Sequence, residues 1–200
     1  MSLKRAYLII ISLLLIDQIT KIYVKTHFYY YEKVHVAGWF KITLIENEGM
    51  AWGAEIPGDY GKLILTLFRI IAVGGIGYWL YKSVQNHASN YLIVAISLIL
   101  AGAFGNIIDS VLYGLIFDQS TSTQVATLFS PEPYGTLFHG RVVDMLYFPF
   151  IENYELPKWV PIWGGHEITF FNAIFNIADM AISTGVGILI VFNKKAFHKN

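Results

Sequence analysis

Apolar runs of bilayer-crossing length recur along this chain, and no other feature of the sequence restricts its fold as tightly. A helix rises about 1.5 Å per residue, so roughly 20 apolar residues cross a ~30 Å hydrocarbon core. Four stretches qualify, at about 6–23, 63–80, 91–112 and 170–192. With 55% hydrophobic and only 14% charged residues, the balance is foreign to soluble domains. The chain therefore reads as an α-helical polytopic membrane protein with four transmembrane helices. The first run follows basic residues, but it lacks a small-residue cleavage site and continues into "DQITKIYVK". That favours a retained helix over a removable signal peptide.

Lysine and arginine bias sets the expected orientation. Lys4 and Arg5 precede the first span, Lys82 lies between the second and third, and Lys194, Lys195 and Lys199 follow the fourth, with no acid in any of these segments. The other two connections, about 27–60 and 113–169, hold the acids Glu32, Glu46, Glu48, Glu55 and Asp59, then Asp118, Glu132, Asp144, Glu152, Glu155 and Glu167. Both termini are thus expected in the cytoplasm and both long loops outside. The absence of cysteine excludes a disulfide framework, a thiolate nucleophile, a cysteine-ligated metal and lipidation of an own thiol. A formal net charge of zero gives no reason to expect nucleic acid as a partner. No repeat or linker divides the chain, which reads as one domain over 1–200.

In the first outer loop, "VAGWFKITLIENEGMAWG" places β-branched and aromatic residues before a glycine-containing turn. This predicts a small extracytoplasmic sheet resting on the membrane. In the longer second loop, turn signals at "SPEPYG" and "WGGHE" flank "HGRVVDMLYFPF", an extended or interfacial piece carrying Asp144. Trp159 and Trp163 fit a headgroup-level belt.

The polar residues of the spans cluster. Asp17 and Lys21 stand four apart on one face of the first helix, and Asn106 and Asp109 share a face near the outer end of the third. Asn172, Asn176 and Asp179 follow one another at spacings of four and three, which predicts one face in the outer half of the fourth. An intramembrane charge costs about 2.5 kcal/mol or more, so such groups turn inward and find partners. A single polar pocket beneath the outer leaflet satisfies them all.

Plainer readings stand beside this one. Asp17 and Lys21 also suit a helix-local ion pair, Asn106 and Asn176 suit interhelical glue, and Asp109 suits a solvated helix end. Asp179, a carboxylate well inside a span, is read as functional. The "GGIGYW" run at Gly74–Trp79, like Gly185 and Gly187, reads as close helix packing instead of nucleotide binding. The six histidines show no metal-ligand spacing, which argues against zinc. The scattered serines do not form a nucleophile and base with Lys21. Arg69 has no partner assignable from the sequence, and either snorkels or meets an acid.

Five motifs then occur in order: "DQITK" in the first helix, "NEGMAWG" at Asn47–Gly53, "GAFGNIIDS" at Gly102–Ser110, "GRVVDM" at Gly140–Met145 and "FNIAD" at Phe175–Asp179. Together they resemble lipoprotein signal peptidase, the signal peptidase II family of membrane aspartyl peptidases. The resemblance implies that Asp144 and Asp179 are the catalytic pair. It implies supporting or substrate-binding roles for Asp17, Lys21, Asn47, Gly102, Asn106, Asp109, Val142 and Asn176, and neither metal nor cofactor. Two departures stand out: Ser110 occupies the place of the family's usual arginine, and the stretch between Asp109 and Asp144 is longer than in typical members.

The implied substrate is a prolipoprotein with a diacylglyceryl-modified cysteine, cut immediately before that cysteine by a monomeric enzyme in the bacterial inner membrane, among membrane lipid. Amide hydrolysis needs a nucleophile on carbon and a proton for the leaving nitrogen, and two carboxyls sharing one proton supply both around a single water. Carboxylates ~3 Å apart do not both ionise, so one stays protonated near neutral pH. The segment at Asn47–Gly53 is expected to cover bound peptide, and the long second loop to shape access. Two other classes remain open at this stage: a proton- or cation-coupled transporter using the same acids, and a non-catalytic factor that clamps a partner helix.

Overall fold

The structure is a computed structural model describing residues 1–48 and 61–197. The first helix, α1 (Leu3–His27), leads into a hairpin of β1 (Lys33–Ala37) and β2 (Phe40–Asn47). Helices α2 (Gly61–Gln85) and α3 (Asn90–Ile108) follow, and α3 runs on through a π-helical turn at Asp109–Tyr113 and one short turn, α4 (Gly114–Ile116). Strand β3 (Val142–Tyr147), the hairpin β4 (Ile151–Glu155) with β5 (Glu167–Phe170), and β6 (Ile174–Phe175) precede α5 (Ile177–Val191) and the short α6 (Asn193–Phe197).

Among the described residues, three helical segments are long and apolar enough to cross a membrane: Leu3–His27, Gly61–Gln85 and Asn90–Ile116. Each of the first three expected spans is extended by this, and the fourth is corrected. The apolar run at 170–192 is not one helix, because its first residues belong to β5, a connection and β6, and α5 has only 15 residues. Such a helix spans about 22 Å, short of a full ~30 Å core. Asn172 is consequently an exposed residue between strands and does not share a helical face with Asn176 and Asp179.

Helix α3 is central and packs on α1, α2 and α5. Its contact with α5 is close because glycines notch both partners: a Cβ on Gly102 would lie 2.2 Å from the Ala178 carbonyl oxygen, and one on Gly185 would lie 2.7 Å from that of Ala95. Small residues are what allow membrane helices this approach. Among the described residues nothing lies against Gly74, Gly75, Gly77 or Gly187, and the expected close packing is absent there.

At one end of the bundle the N-terminal amine donates to Asn90 Oδ1 at 2.7 Å, and Ser89 Oγ donates to the Ala196 carbonyl at 2.9 Å. Met1 and α6 therefore meet the α2–α3 turn. At the other end sits the expected sheet, four-stranded in the order β1-β2-β3-β6, with antiparallel neighbours. Its register sets Asn47 opposite Val142 and Ile45 opposite Asp144. A core of Val24, Leu44, Tyr113, Phe117, Val143 and Met145 seals the sheet onto the helix ends. The Gly53 end of the expected peptide-covering segment lies outside the described residues.

Candidate active site

Asp144 and Asp179 come from different kinds of element and meet at one junction. Asp144 stands on β3 and is 6% exposed. Asp179 stands in the first turn of α5, whose N-cap, Asn176, forms a reciprocal box with it: the Asp179 amide donates to Asn176 Oδ1 at 2.9 Å, and the Asn176 amide donates to Asp179 Oδ2 at 3.3 Å. The box satisfies two orphan amides and fixes where the helix starts. It also leaves Asp179 Oδ1 to accept from Asn106 Nδ2 at 2.9 Å.

Asn176 joins the two acids. Its fully buried side-chain amide donates to Asp144 Oδ1 at 2.8 Å, to Asn106 Oδ1 at 3.1 Å and to the Val143 carbonyl at 3.2 Å. Asn47, across from Val142, donates to Asp144 Oδ2. Burial is the largest influence on Asp144, and the negative charge of Asp179 adds to it; together they push its carboxyl up to about 7, against the counter-pull of Lys21 and the two amides. One acid of the pair therefore holds a proton near neutrality, as like charges in a desolvated site require.

Beneath the pair lies a buried ionic cluster. Lys21 Nζ is 3.0 Å from Asp17 Oδ2 and 2.8 Å from Asp109 Oδ2, and it donates to Asn106 Oδ1 at 2.8 Å. Asp17 reaches across to accept from the Ala178 amide at 2.9 Å, so α1 caps α5. Asp109 accepts from the Val143 amide at 3.3 Å, so α3 holds β3. Asp17 and Lys21 thus form an ion pair that is also more than helix-local, and Asp109 is fully buried instead of solvated. Gly140 lets the chain pass Asp109, since a Cβ there would lie 2.0 Å from the Asp109 carbonyl oxygen. Val142, buried beside Asn47, belongs to the wall of this junction.

All ten residues singled out in the sequence fall in or against this network. Gln18 is a member the sequence reading missed: its amide donates to Asp17 Oδ2, Gly105 O and Asp109 Oδ1 at 3.1, 3.2 and 2.9 Å. Its signal was present, an amide within an apolar run, three residues before Lys21. Lys25 was missed too; fully buried, it pairs with Glu46 and ties α1 to β2. Ser110 donates to the Asn106 carbonyl at 3.0 Å and bears no charge to pair. For Arg69, Asp179 is the charge that acts on it through space.

A polytopic helical bundle with two carboxyl groups linked through Asn106 and Asn176 at its sheet-bearing end defines a membrane aspartyl peptidase. The chain belongs to the signal peptidase II family, described as Signal peptidase (SPase) II, which matches residues 9–194. It is 48% identical to the lipoprotein signal peptidase of Porphyromonas gingivalis over 92% of this chain and 80% of that one. It is 36% identical to that of Amoebophilus asiaticus over 95% and 77%. A bacterial membrane enzyme solved by the in meso method superimposes with a TM-score of 0.65 at 25% identity, covering 99% of this chain and 93% of that one. Family membership removes the transporter reading.

Proposed function

We propose that this protein removes the signal peptide from diacylglyceryl-modified prolipoproteins, with Asp144 and Asp179 sharing one proton about an attacking water. The observation that carries the reading is the bridge through Asn176, whose side-chain amide donates to the Asp144 carboxyl while its backbone amide donates to the Asp179 carboxyl. Of the two, Asp144 is the resting proton holder, because burial and its neighbour's charge favour its neutral form. Asp179 then accepts the proton of water while Asp144 polarises the scissile carbonyl, and the leaving nitrogen takes a proton from the pair. No covalent intermediate is needed.

The whole chain, 1–200, acts as one membrane-embedded domain and as a monomer. Its four helical segments cross the bacterial inner membrane with both termini in the cytoplasm. The acids, on the sheet and at the start of the short α5, work at the level of the outer leaflet, where a substrate tethered by acyl chains and an apolar signal helix presents its scissile bond. The cut falls just before the lipidated cysteine. Purified protein in detergent, given a diacylated prolipoprotein, tests this against its Asp144→Asn and Asp179→Asn variants. Each variant should retain substrate binding and lose about 10²- to 10⁴-fold in cleavage. Normal cutting by both overturns the assignment.

A further inference from the structure

Beside the acid pair, on the extracytoplasmic side of the sheet, lies a polar cavity of about 600 Å³ that the chemistry above does not use. Asn47 belongs to both places: it lines the cavity and donates to Asp144. Glu46 and Ser120 line it and belong to a buried group with Lys25, in which Ser120 Oγ donates to Glu46 Oε1 at 2.9 Å and accepts from Lys25 Nζ at 3.1 Å. One wall is Arg141, whose Nε donates to Glu48 at 3.2 Å while its side chain remains 36% exposed. Gln119–Ser122 also line it, part of the segment between Asp109 and Asp144 that is longer than is typical of the resembled family.

That segment is firmly held. The Tyr30 amide donates to the Thr121 carbonyl at 3.0 Å, Phe117 bridges Leu128, and the Gly135 amide donates to the Gly114 carbonyl at 2.9 Å. The cavity therefore has fixed walls rich in donors and acceptors: a guanidinium, a primary amide, hydroxyls and the half-buried Glu48. Its position matters equally. Arg141 precedes Asp144 by three residues, about 10 Å along extended chain, which is the length of three substrate residues lying along the same strand.

We propose that this cavity is the subsite for the polar residues that follow the lipidated cysteine, gripping the second to fourth residues of the chain that becomes the mature lipoprotein. This rests on the peptidase reading above. The acyl chains and the signal helix of such a substrate are bound to the bilayer, so the only part able to enter a polar extracytoplasmic cavity is the segment beyond the cysteine. Gln119–Ser122 and Arg141 then set which sequences are held there, and substrate grip extends beyond the lipid and the signal helix.

Diacylated substrates with one signal segment, ending at the cysteine amide or extended by two, four or eight serine and asparagine residues, test the proposal on the full-length protein in nanodiscs. In wild type, kcat/KM should rise about tenfold from zero to four added residues, the worth of about one hydrogen bond to a charged group, and no further at eight. Arg141→Gln should remove most of that gain and Gln119→Ala part of it. The readout is a ratio of long to short substrate within each variant, so a general loss of activity or folding does not enter it. Equal rates at zero and four residues in wild type, or an undiminished ratio in both variants, overturn the subsite. Cleavage of no substrate at any length by wild type defeats the peptidase reading instead.

Discussion

Asp144 is held in a way that fixes the pH behaviour of the pair. Its carboxyl is pushed up to about 7, first by burial and then by the charge of Asp179, so the folded protein binds a proton there that the unfolded chain releases at ordinary carboxylate values. The associated stability is full below the unfolded value and is lost as pH rises through about 7. Catalysis that needs the neutral form follows the same limb: kcat/KM should fall as pH rises through about 7, and a rate profile that stays level to pH 9 would contradict it. Lys21 makes a different prediction. Lys21→Met keeps the bulk but strands Asp17 and Asp109 as buried, unpaired acids, a change that costs about 3–5 kcal/mol. Thermal unfolding in detergent should show that loss, and adding Asp109→Asn to the same chain should restore part of it. Residues of this kind were legible in the sequence because a charge inside an apolar run is costly and must have a partner. Lys25 and Glu46 were not legible, since they lie at a helix end and on a strand, where either charge is ordinarily solvated.

Among the elements, α5 shows where reading by hydropathy stops. The run from Phe170 is apolar throughout, and nothing in its composition separates strand from helix. What starts the helix at Ile177 is chemistry: Asn176 and Asp179 satisfy each other's amides and Asp17 satisfies that of Ala178, while the preceding residues gain β3 as a partner. The sheet itself was foreseeable from its β-branched and aromatic residues, but not its pairing of β2 with β3, which joins segments nearly a hundred residues apart. Gly102 is the notch on which the position of α5 depends. Gly102→Ala would drive a methyl into the Ala178 carbonyl, 2.2 Å away, and should cost about 1–3 kcal/mol while displacing Asp179, so activity should fall more steeply than thermal stability. The β4–β5 hairpin carries its own prediction. Trp159, Ile162 and Trp163 at its tip are 79%, 87% and 63% exposed, an arrangement suited to the headgroup level. With Trp39, Trp52 and Trp79 replaced by Phe, brominated lipid should quench the remaining fluorescence strongly, and emission indifferent to the bromine would place the tip in water.

At the scale of the whole molecule, the two ends of the bundle are chemically distinct. The N-terminal amine on Asn90, Ser89 on the Ala196 carbonyl, and Lys195 over the Tyr91 ring at 5.6 Å gather Met1 and α6 at the α2–α3 turn. The sheet, the acid pair and the Lys25–Glu46 tie occupy the opposite end. In the orientation proposed from the charge bias the lysine-rich, acid-poor connections face the cytoplasm, and Glu46, Glu48 and Asp144 lie at the sheet. Only this orientation brings the acid pair to substrates anchored in the outer leaflet. Because the chain contains no cysteine, a single one reports its side directly. Ser122→Cys, on the exposed wall beside the acid pair, should react with a membrane-impermeant maleimide on intact spheroplasts, whereas His87→Cys in the α2–α3 turn should react only after lysis. The reverse pattern would turn the molecule over and put its acids where no lipid-anchored extracytoplasmic substrate can reach them.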